Sequence, residues 1–228
     1  MSKVIQKFDQ PIILIGGGQL HKPLLQDFMQ ESFPFIAVDG GANAVFDLST
    51  KPDYVIGDLD SLDINVMHGL KDDQVIKINE QDTSDFEKAL YSFEAPQYLA
   101  FGFLGRRMDH CLSSYHILYK YSGQKNIFLM GSDDISFAVS GDFKMSLPKN
   151  IGFSIFPFAP IQFEYSKGLG YPLDGLLLEI GQIVSTSNIT NADLVHLKPT
   201  DKHKNTPYIV IIGHLDMPKP RLKEILLA

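Results

Sequence analysis

Asp58 and Asp60 stand two residues apart just after an apolar run, in Gly57-Asp58-Leu59-Asp60-Ser61. In an extended backbone, side chains two apart point the same way. A third carboxylate, Asp85, lies in Gln81-Asp82-Thr83-Ser84-Asp85. Three convergent carboxylates make a hard-oxygen set suited to Mg²⁺, which binds one or two carboxylates together with waters and substrate phosphates. Each segment alone is equally a polar turn, or in the case of Asp85 an acid placed at a helix N-terminus. Together they favour a metal site that handles phosphate. Asp82 either supports such a site or simply turns the chain.

Other segments carry groups that suit phosphate. Gly16-Gly17-Gly18 and Asp39-Gly40-Gly41-Ala42-Asn43 let the backbone approach an anion closely and turn its amides toward it. Each is also consistent with an ordinary strand-to-helix turn. Gly17, Gly40, Asn43 and Thr83 are candidate nucleotide contacts, and Asp39 adds a polar group. Gly105-Arg106-Arg107-Met108-Asp109-His110 offers guanidinium groups that hold phosphate oxygens bidentately and stabilise spreading charge. Asp109 is a nucleotide contact or the cap of the next helix. His110 touches a nucleotide or is a first-turn residue without a role. Further on, Tyr171 offers a flat face for stacking, and Ser185, Ser187 and Asn188 offer hydrogen bonds. From the residues alone, that stretch is also just a hairpin with a polar tip.

The elements that must position these groups follow from the apolar pattern. Ile12–Ile15, Phe35–Val38, Tyr54–Ile56, Val75–Ile78, Tyr98–Phe101 and Ile127–Met130 are short runs with little polar alternation, as in strands of a sheet covered on both faces. Helices are expected at Leu20–Glu31, Ala42–Leu48, Ser84–Phe93 and Leu112–Tyr121. In the third, Phe86, Ala89, Leu90 and Phe93 share one face, and Ser84 with Glu87 has the spacing of a capping box. Such alternation indicates a mainly parallel α/β sheet. Its strand ends share one crevice, where ligands bind, and every phosphate-type segment above follows a strand.

After about Gly131 short β stretches follow one another, and a sandwich or barrel is expected. They are Ile135–Val139, Phe143–Leu147, Phe153–Phe158, Ile161–Tyr165, Leu176–Ile180, Ile183–Thr186, Leu194–Leu197 and Tyr208–Ile212. No helical period is evident among them, and the boundary between the halves falls between Gly131 and Gly141.

The 228 residues are 44% hydrophobic and 21% charged, ordinary for a globular chain with a real core. A formal net charge of −7 argues against nucleic acid or an anionic membrane surface as partner. Cys111 is the single cysteine, so no intrachain disulfide forms and a reducing compartment is expected. Met1–Gln10 carries no apolar leader, and a cytoplasmic location is the expectation.

The ordered set of segments resembles the thiamin pyrophosphokinase family. The matched pieces are Asp39–Asn43, Gly57–Ser61, Asp82–Phe86, Gly105–His110 and Val184–Asn188. The resemblance implies an α/β fold: an N-terminal, mainly parallel three-layer α/β catalytic domain that binds ATP (residues 1–135), followed by a C-terminal all-β sandwich that binds thiamin (136–228). It also implies a homodimer with active sites shared between subunits. By position, Asp58, Asp60 and Asp85 correspond to the Mg²⁺ and phosphate-site carboxylates, and Arg107 to the arginine of the Gly-Gly-Arg-x-Asp-His segment. Ser187 corresponds to the residue that meets the thiamin pyrimidine, with Asn188 beside it. Arg106 replaces the usual second glycine, and Ala44 stands where arginine is common.

The implied reaction is transfer of diphosphate from ATP to the thiamin hydroxyl, releasing AMP. Two rivals are a diphosphokinase for another alcohol, such as a hydroxymethylpterin, and a non-catalytic thiamin or nucleotide sensor. A dehydrogenase is disfavoured, because a Gly-x-Gly-x-x-Gly run with its ribose-binding acid is missing.

Overall fold

In the computed structural model the described residues are 4–46, 50–60, 63, 69–215 and 217–227. They form a mixed α/β protein that divides into two compact units. The first contains residues 1–117 and 127–132, and the second contains 118–126 and 133–228.

The first unit begins with β1 (Gln6–Lys7) and β2 (Ile12–Ile15), then α1 (Lys22–Met29), β3 (Phe35–Val38), α2 (Gly41–Phe46) and β4 (Tyr54–Gly57). It continues with β5 (Val75–Lys77), α3 (Asp85–Ser92), β6 (Phe93–Glu94) and β7 (Tyr98–Phe101). Helix α4 (Met108–Lys120) leads to β8 (Ile127–Met130). Six strands pair side by side in the order β8-β7-β2-β3-β4-β5, and every pairing is parallel. Ile12 to Ile15 are each fully buried. An unbroken apolar tetrapeptide fits only a strand covered on both faces, which is why these runs are readable without alternation.

The chain first steps from β2 through β3 and β4 to β5, then returns to lay β7 on the opposite side of β2. This reversal is the topological switch at which open α/β sheets bind ligands. Helix α3 is built as its pattern requires. Phe86, Ala89 and Leu90 are buried, Phe93 follows them into the core, and the Glu87 N–H donates to Ser84 Oγ at 3.3 Å. Gly41 opens α2 where no side chain fits, since a Cβ there would lie 1.8 Å from the Ile15 carbonyl oxygen. Of the helix expected over Ala42–Leu48, residues 47 and 48 lie outside the described residues, as does Ser61 of the carboxylate segment.

The second unit is antiparallel throughout its named pairings. Its strands are β9 (Asp134–Ser140), β10 (Phe143–Ser146), β11 (Gly152–Pro157), β12 (Ile161–Lys167), β13 (Leu177–Leu178), β14 (Ser185–Ile189), β15 (Leu194–Pro199) and β16 (Pro207–Gly213). Four pair in the order β14-β11-β16-β9 and four in the order β10-β15-β12-β13. Burial alternates along β11 and β15, as expected when one face of a strand meets a core and the other meets water.

Two expectations need correction. The strand expected over Ile183–Thr186 is displaced to Ser185–Ile189, and the one over Leu176–Ile180 shrinks to two residues. Leu176, Leu177, Ile180, Ile183 and Val184 are exposed while Leu178 is buried, so apolarity in this hairpin does not report burial. The chain also ends in a helix, α5 (Lys219–Leu227), despite the flanking prolines. Pro220 occupies its first turn, where the missing N–H costs nothing.

Candidate active site

Five strand-end segments of the first unit line one crevice of about 720 Å³. Gly16–Gly18 comes from the end of β2, Asp39, Gly40, Asn43 and Ala44 from β3, and Asp58 from β4. Gln81, Thr83, Ser84 and Asp85 come from the segment after β5, and Gly102, Phe103, Gly105, Arg106, Arg107 and His110 from the segment after β7. Of the expected nucleotide and metal residues, Gly17, Asp39, Gly40, Asn43, Asp58, Thr83, Asp85, Arg107 and His110 are thus brought together. Asp60, Asp82 and Asp109 do not line the crevice.

At its centre stand Asp39, Asp58 and Asp85, each offering one carboxylate oxygen, with all three oxygens within 4.8 Å of one another. The inclusion of Asp39 and the exclusion of Asp60 correct the reading of two parallel side chains on an extended backbone. Leu59 adopts φ 67°, so the chain turns between the two aspartates. The Asp60 N–H then folds back to donate to Asp58 Oδ1 at 3.2 Å, while the Asp60 side chain is exposed. Asp60 therefore orients Asp58 through its main chain.

Asp39 is held by its own backbone. Its N–H donates to the Ile56 carbonyl at 2.8 Å, and its carbonyl accepts from the Ala42 N–H at 3.1 Å. Its φ of 46° is a left-handed conformation that aspartate tolerates better than most residues. Its Oδ1 is buried and has no hydrogen-bond partner among the described residues. Leaving a buried carboxylate oxygen unpaired is costly. An all-carboxylate cluster with one unpartnered oxygen is a good fit for a hard divalent cation. Asp85 has a protein partner already, for Lys88 Nζ donates to its Oδ1 at 3.0 Å and Lys88 is 2% exposed. This buried lysine sits one helical turn after Asp85 and was not singled out by the sequence reading.

The arginine segment behaves differently at its two guanidiniums. Arg107 donates through Nε and Nη2 to the two oxygens of Asp109, and this contact holds the Asp109 carboxyl below its usual pKa range. Asp109 is therefore Arg107's partner inside the first turn of α4, which begins at Met108, and not the cap of that helix. Arg106 has φ 59°, which shows physically why a glycine suits this position. Its Nη1 donates to the Gly17 carbonyl at 3.1 Å, tying the β7 segment to the β2 segment. Asn43 accepts from the Asp63 N–H at 3.0 Å, and Thr83 directs its hydroxyl to Glu80.

The second unit has its own recess of about 370 Å³, lined by Tyr171, Leu173, Leu178, Ile183 and Ser185 to Asn188 among others. Tyr171 is 68% exposed, with its ring available for stacking. Asn188 is almost fully buried. Its Oδ1 accepts from the Tyr171 and Ile189 N–H groups at 3.0 and 2.9 Å, and its Nδ2 donates to the Tyr171 carbonyl at 2.7 Å. Asn188 thus fixes Tyr171, and its amide is occupied by protein. Ser185 is buried. Ser187 is exposed at φ 58°, and its N–H donates to Ser154 Oγ at 3.1 Å.

Comparison with known proteins gives a consistent result. Residues 25–129 match the family described as thiamin pyrophosphokinase, catalytic domain. Thiamine pyrophosphokinase 1 of Oryza sativa subsp. japonica is 28% identical over 196 residues, covering 71% of this chain and 74% of the relative. Thiamin pyrophosphokinase 1 of Caenorhabditis elegans is 28% identical over 181 residues, covering 72% and 74%. Among solved structures, yeast thiamin pyrophosphokinase superposes with a TM-score of 0.77 at 16% identity, over 92% of each chain. That of Geobacillus thermodenitrificans gives 0.75 at 20% identity, over 91% of this chain and 99% of the other. These structural likenesses establish the fold.

Proposed function

We propose that this chain is a member of the thiamin pyrophosphokinase family, to which its sequence is similar, and that its carboxylate-lined crevice transfers the terminal diphosphate of ATP to thiamin. The observation that carries the reading is the cluster of Asp39, Asp58 and Asp85, set among glycine turns and arginines at parallel strand ends. The thiamin hydroxyl oxygen attacks the β-phosphorus of ATP. The bond from β-phosphorus to the α,β-bridging oxygen breaks, AMP leaves, and the hydroxyl proton passes to a carboxylate. Positioning and charge neutralisation supply most of the rate in such transfers.

Asp39, Asp58 and Asp85 would hold Mg²⁺, which supplies charge neutralisation to the polyphosphate. Asp60 contributes by orienting Asp58. Gly17 and Gly40 turn backbone toward the phosphates, Arg107 offsets developing charge once it shares its pair with Asp109, and Arg106 adds a second guanidinium to the crevice. Residues 1–135 act as the ATP-binding catalytic domain, and residues 136–228 as a β-sandwich that binds thiamin. There Tyr171 stacks on the ligand and Ser187 meets the pyrimidine.

The enzyme works as a homodimer with sites shared between subunits. An apolar surface supports this reading, since Ile180, Ile183, Leu176 and Leu177 are all exposed on one hairpin beside the recess. Clustered exposed apolar groups mark contact surfaces. A cytoplasmic location fits a chain in which, among the described residues, no helix is long and apolar enough to cross a membrane.

The deciding experiment follows AMP release from ATP with thiamin and with other alcohols, a hydroxymethylpterin among them. Release stimulated by thiamin alone is expected. Release with another alcohol only would reassign the substrate, and no release with any would favour a sensor.

A further inference from the structure

Glu80 lies outside every motif considered above, yet it organises the segment between β5 and α3. Its Oε2 accepts from the Asp82 N–H at 2.7 Å and the Thr83 N–H at 3.1 Å. Its Oε1 accepts from the Thr83 hydroxyl and from the Tyr91 hydroxyl, the latter at 3.2 Å. Four donors from one short segment and the helix after it therefore converge on a single carboxylate. The segment needs such an anchor. It has no regular secondary structure, and Gln81, Asp82 and Ser84 are exposed. It also delivers Gln81, Thr83, Ser84 and Asp85 to the crevice wall. Tyr91 sits in the last turn of α3, so its bond ties the loop to the far end of the helix that carries Asp85 at its start.

We infer that Glu80 is a positioning residue for nucleotide binding, a staple that presets the Gln81–Asp85 loop before ATP arrives. The inference rests on the proposed use of this crevice for ATP. A carboxylate suits the task because it only accepts, and all four facing groups donate. An amide in its place could keep its oxygen on the two N–H groups only by turning its NH₂ toward the Thr83 and Tyr91 hydroxyls, which would then have to accept instead of donate. The contacts also hold the Glu80 carboxyl below its ordinary pKa, the Thr83 hydroxyl being the largest cause. Preset binding groups gain affinity by removing the ordering cost at the moment of binding. The staple should therefore affect nucleotide affinity and leave the recess of the second unit untouched.

The test compares wild type with Glu80→Gln, Glu80→Asp and Tyr91→Phe. Calorimetry would use α,β-methylene-ATP with Mg²⁺, and thiamin separately, alongside hydrogen exchange of the loop amides. Glu80→Gln is expected to weaken the nucleotide analogue about tenfold or more, leave thiamin within about twofold, and speed exchange at Asp82 and Thr83 but not through α3. Tyr91→Phe should show a smaller nucleotide effect, and Glu80→Asp a partial recovery. Unchanged analogue affinity in Glu80→Gln would overturn the inference. So would an equal loss for both ligands with faster exchange throughout the first unit, which would mark a general structural defect. If wild type itself failed to bind the analogue, the reaction assignment would fall, and exchange at Asp82 and Thr83 would then decide the staple alone.

Discussion

Replacing Asp39 by asparagine should stabilise the protein in the absence of divalent cation while disabling it in its presence. The side chains are nearly isosteric, and asparagine is as tolerant of φ 46° as aspartate is, so the change is essentially one of charge. With the three oxygens within 4.8 Å, one like-charge pair costs about 3.5 kcal/mol at an effective dielectric of 20 and about 0.9 kcal/mol at that of water. The three carboxylates are partly exposed, which favours the lower end. Neutralising Asp39 relieves two pairs, or about 2 kcal/mol, and Lys88 beside Asp85 already offsets part of the total. A net gain of about 1 kcal/mol corresponds to roughly 2–4 °C for a chain of this size. Thermal melts in chelator should show that rise. Melts with Mg²⁺ should show the reverse order, because wild type gains by binding the ion and the variant loses a ligand. Turnover should fall by more than about 100-fold, since residues that merely support a metal ligand already cost up to about that much. A variant that melts below wild type in chelator, or keeps the full Mg²⁺ shift, would refute the cluster as a cation site.

Asp58→Ala and Asp85→Ala should each lower AMP release by more than about 100-fold, whereas Asp60→Ala, whose N–H survives the change, should stay within about tenfold. Equal losses at all three would return Asp60 to the metal set. Ser187→Ala should weaken thiamin more than ATP in calorimetry, and equal weakening would remove the pyrimidine contact. If sites are shared in a two-fold dimer, mixing Asp85→Ala with Ser187→Ala under subunit exchange should recover up to about a quarter of wild-type activity, because about half the dimers carry one intact site. No recovery despite mixed dimers verified by mass spectrometry would mean that each site is built within one chain.

The parts of the molecule that were legible beforehand are those where one local rule decides. Ile12–Ile15, Phe35–Val38, Tyr98–Phe101 and Ile127–Met130 are strands with the bounds their apolar runs imply, because a strand covered on both faces is apolar at every position and stops where polar, glycine or proline residues begin. The crevice segments were legible because the C-terminal ends of parallel strands all lie along one edge of the sheet. What could not be read depended on single dihedral angles. The alternation rule turned Asp58 and Asp60 the same way, and one left-handed residue, Leu59, undid it. Asp39 joined the cluster for the complementary reason, since its own positive φ re-aims a side chain that resembles a turn residue. Glu80 could have been found, as an acid three residues before Thr83 invites hydrogen bonds to the intervening backbone. The hairpin strands near Ile183 were misplaced because their apolar side chains face outward, and no periodicity argument distinguishes a buried run from a contact surface.

The backbone also bears on where function resides. Among the described residues, six other than glycine have positive φ: Ser32, Asp39, Leu59, Arg106, Asn150 and Ser187. Four of these lie in the segments singled out for chemistry. Such conformations cost on the order of 1–3 kcal/mol each and persist where the surroundings over-determine them. For Asp39 the surroundings are bonds to Ile56 and Ala42, for Arg106 the Gly17 carbonyl, and for Ser187 the Ser154 hydroxyl. In each case the strained residue either presents its own side chain or, as with Leu59, redirects a neighbour's. Gly102 and Gly105 take positive φ without that cost. Ser32 and Asn150 hold the same conformation outside those segments, so strain alone does not mark a site; at Asp39, Leu59 and Ser187 it coincides with the carboxylate cluster and the recess beside Tyr171.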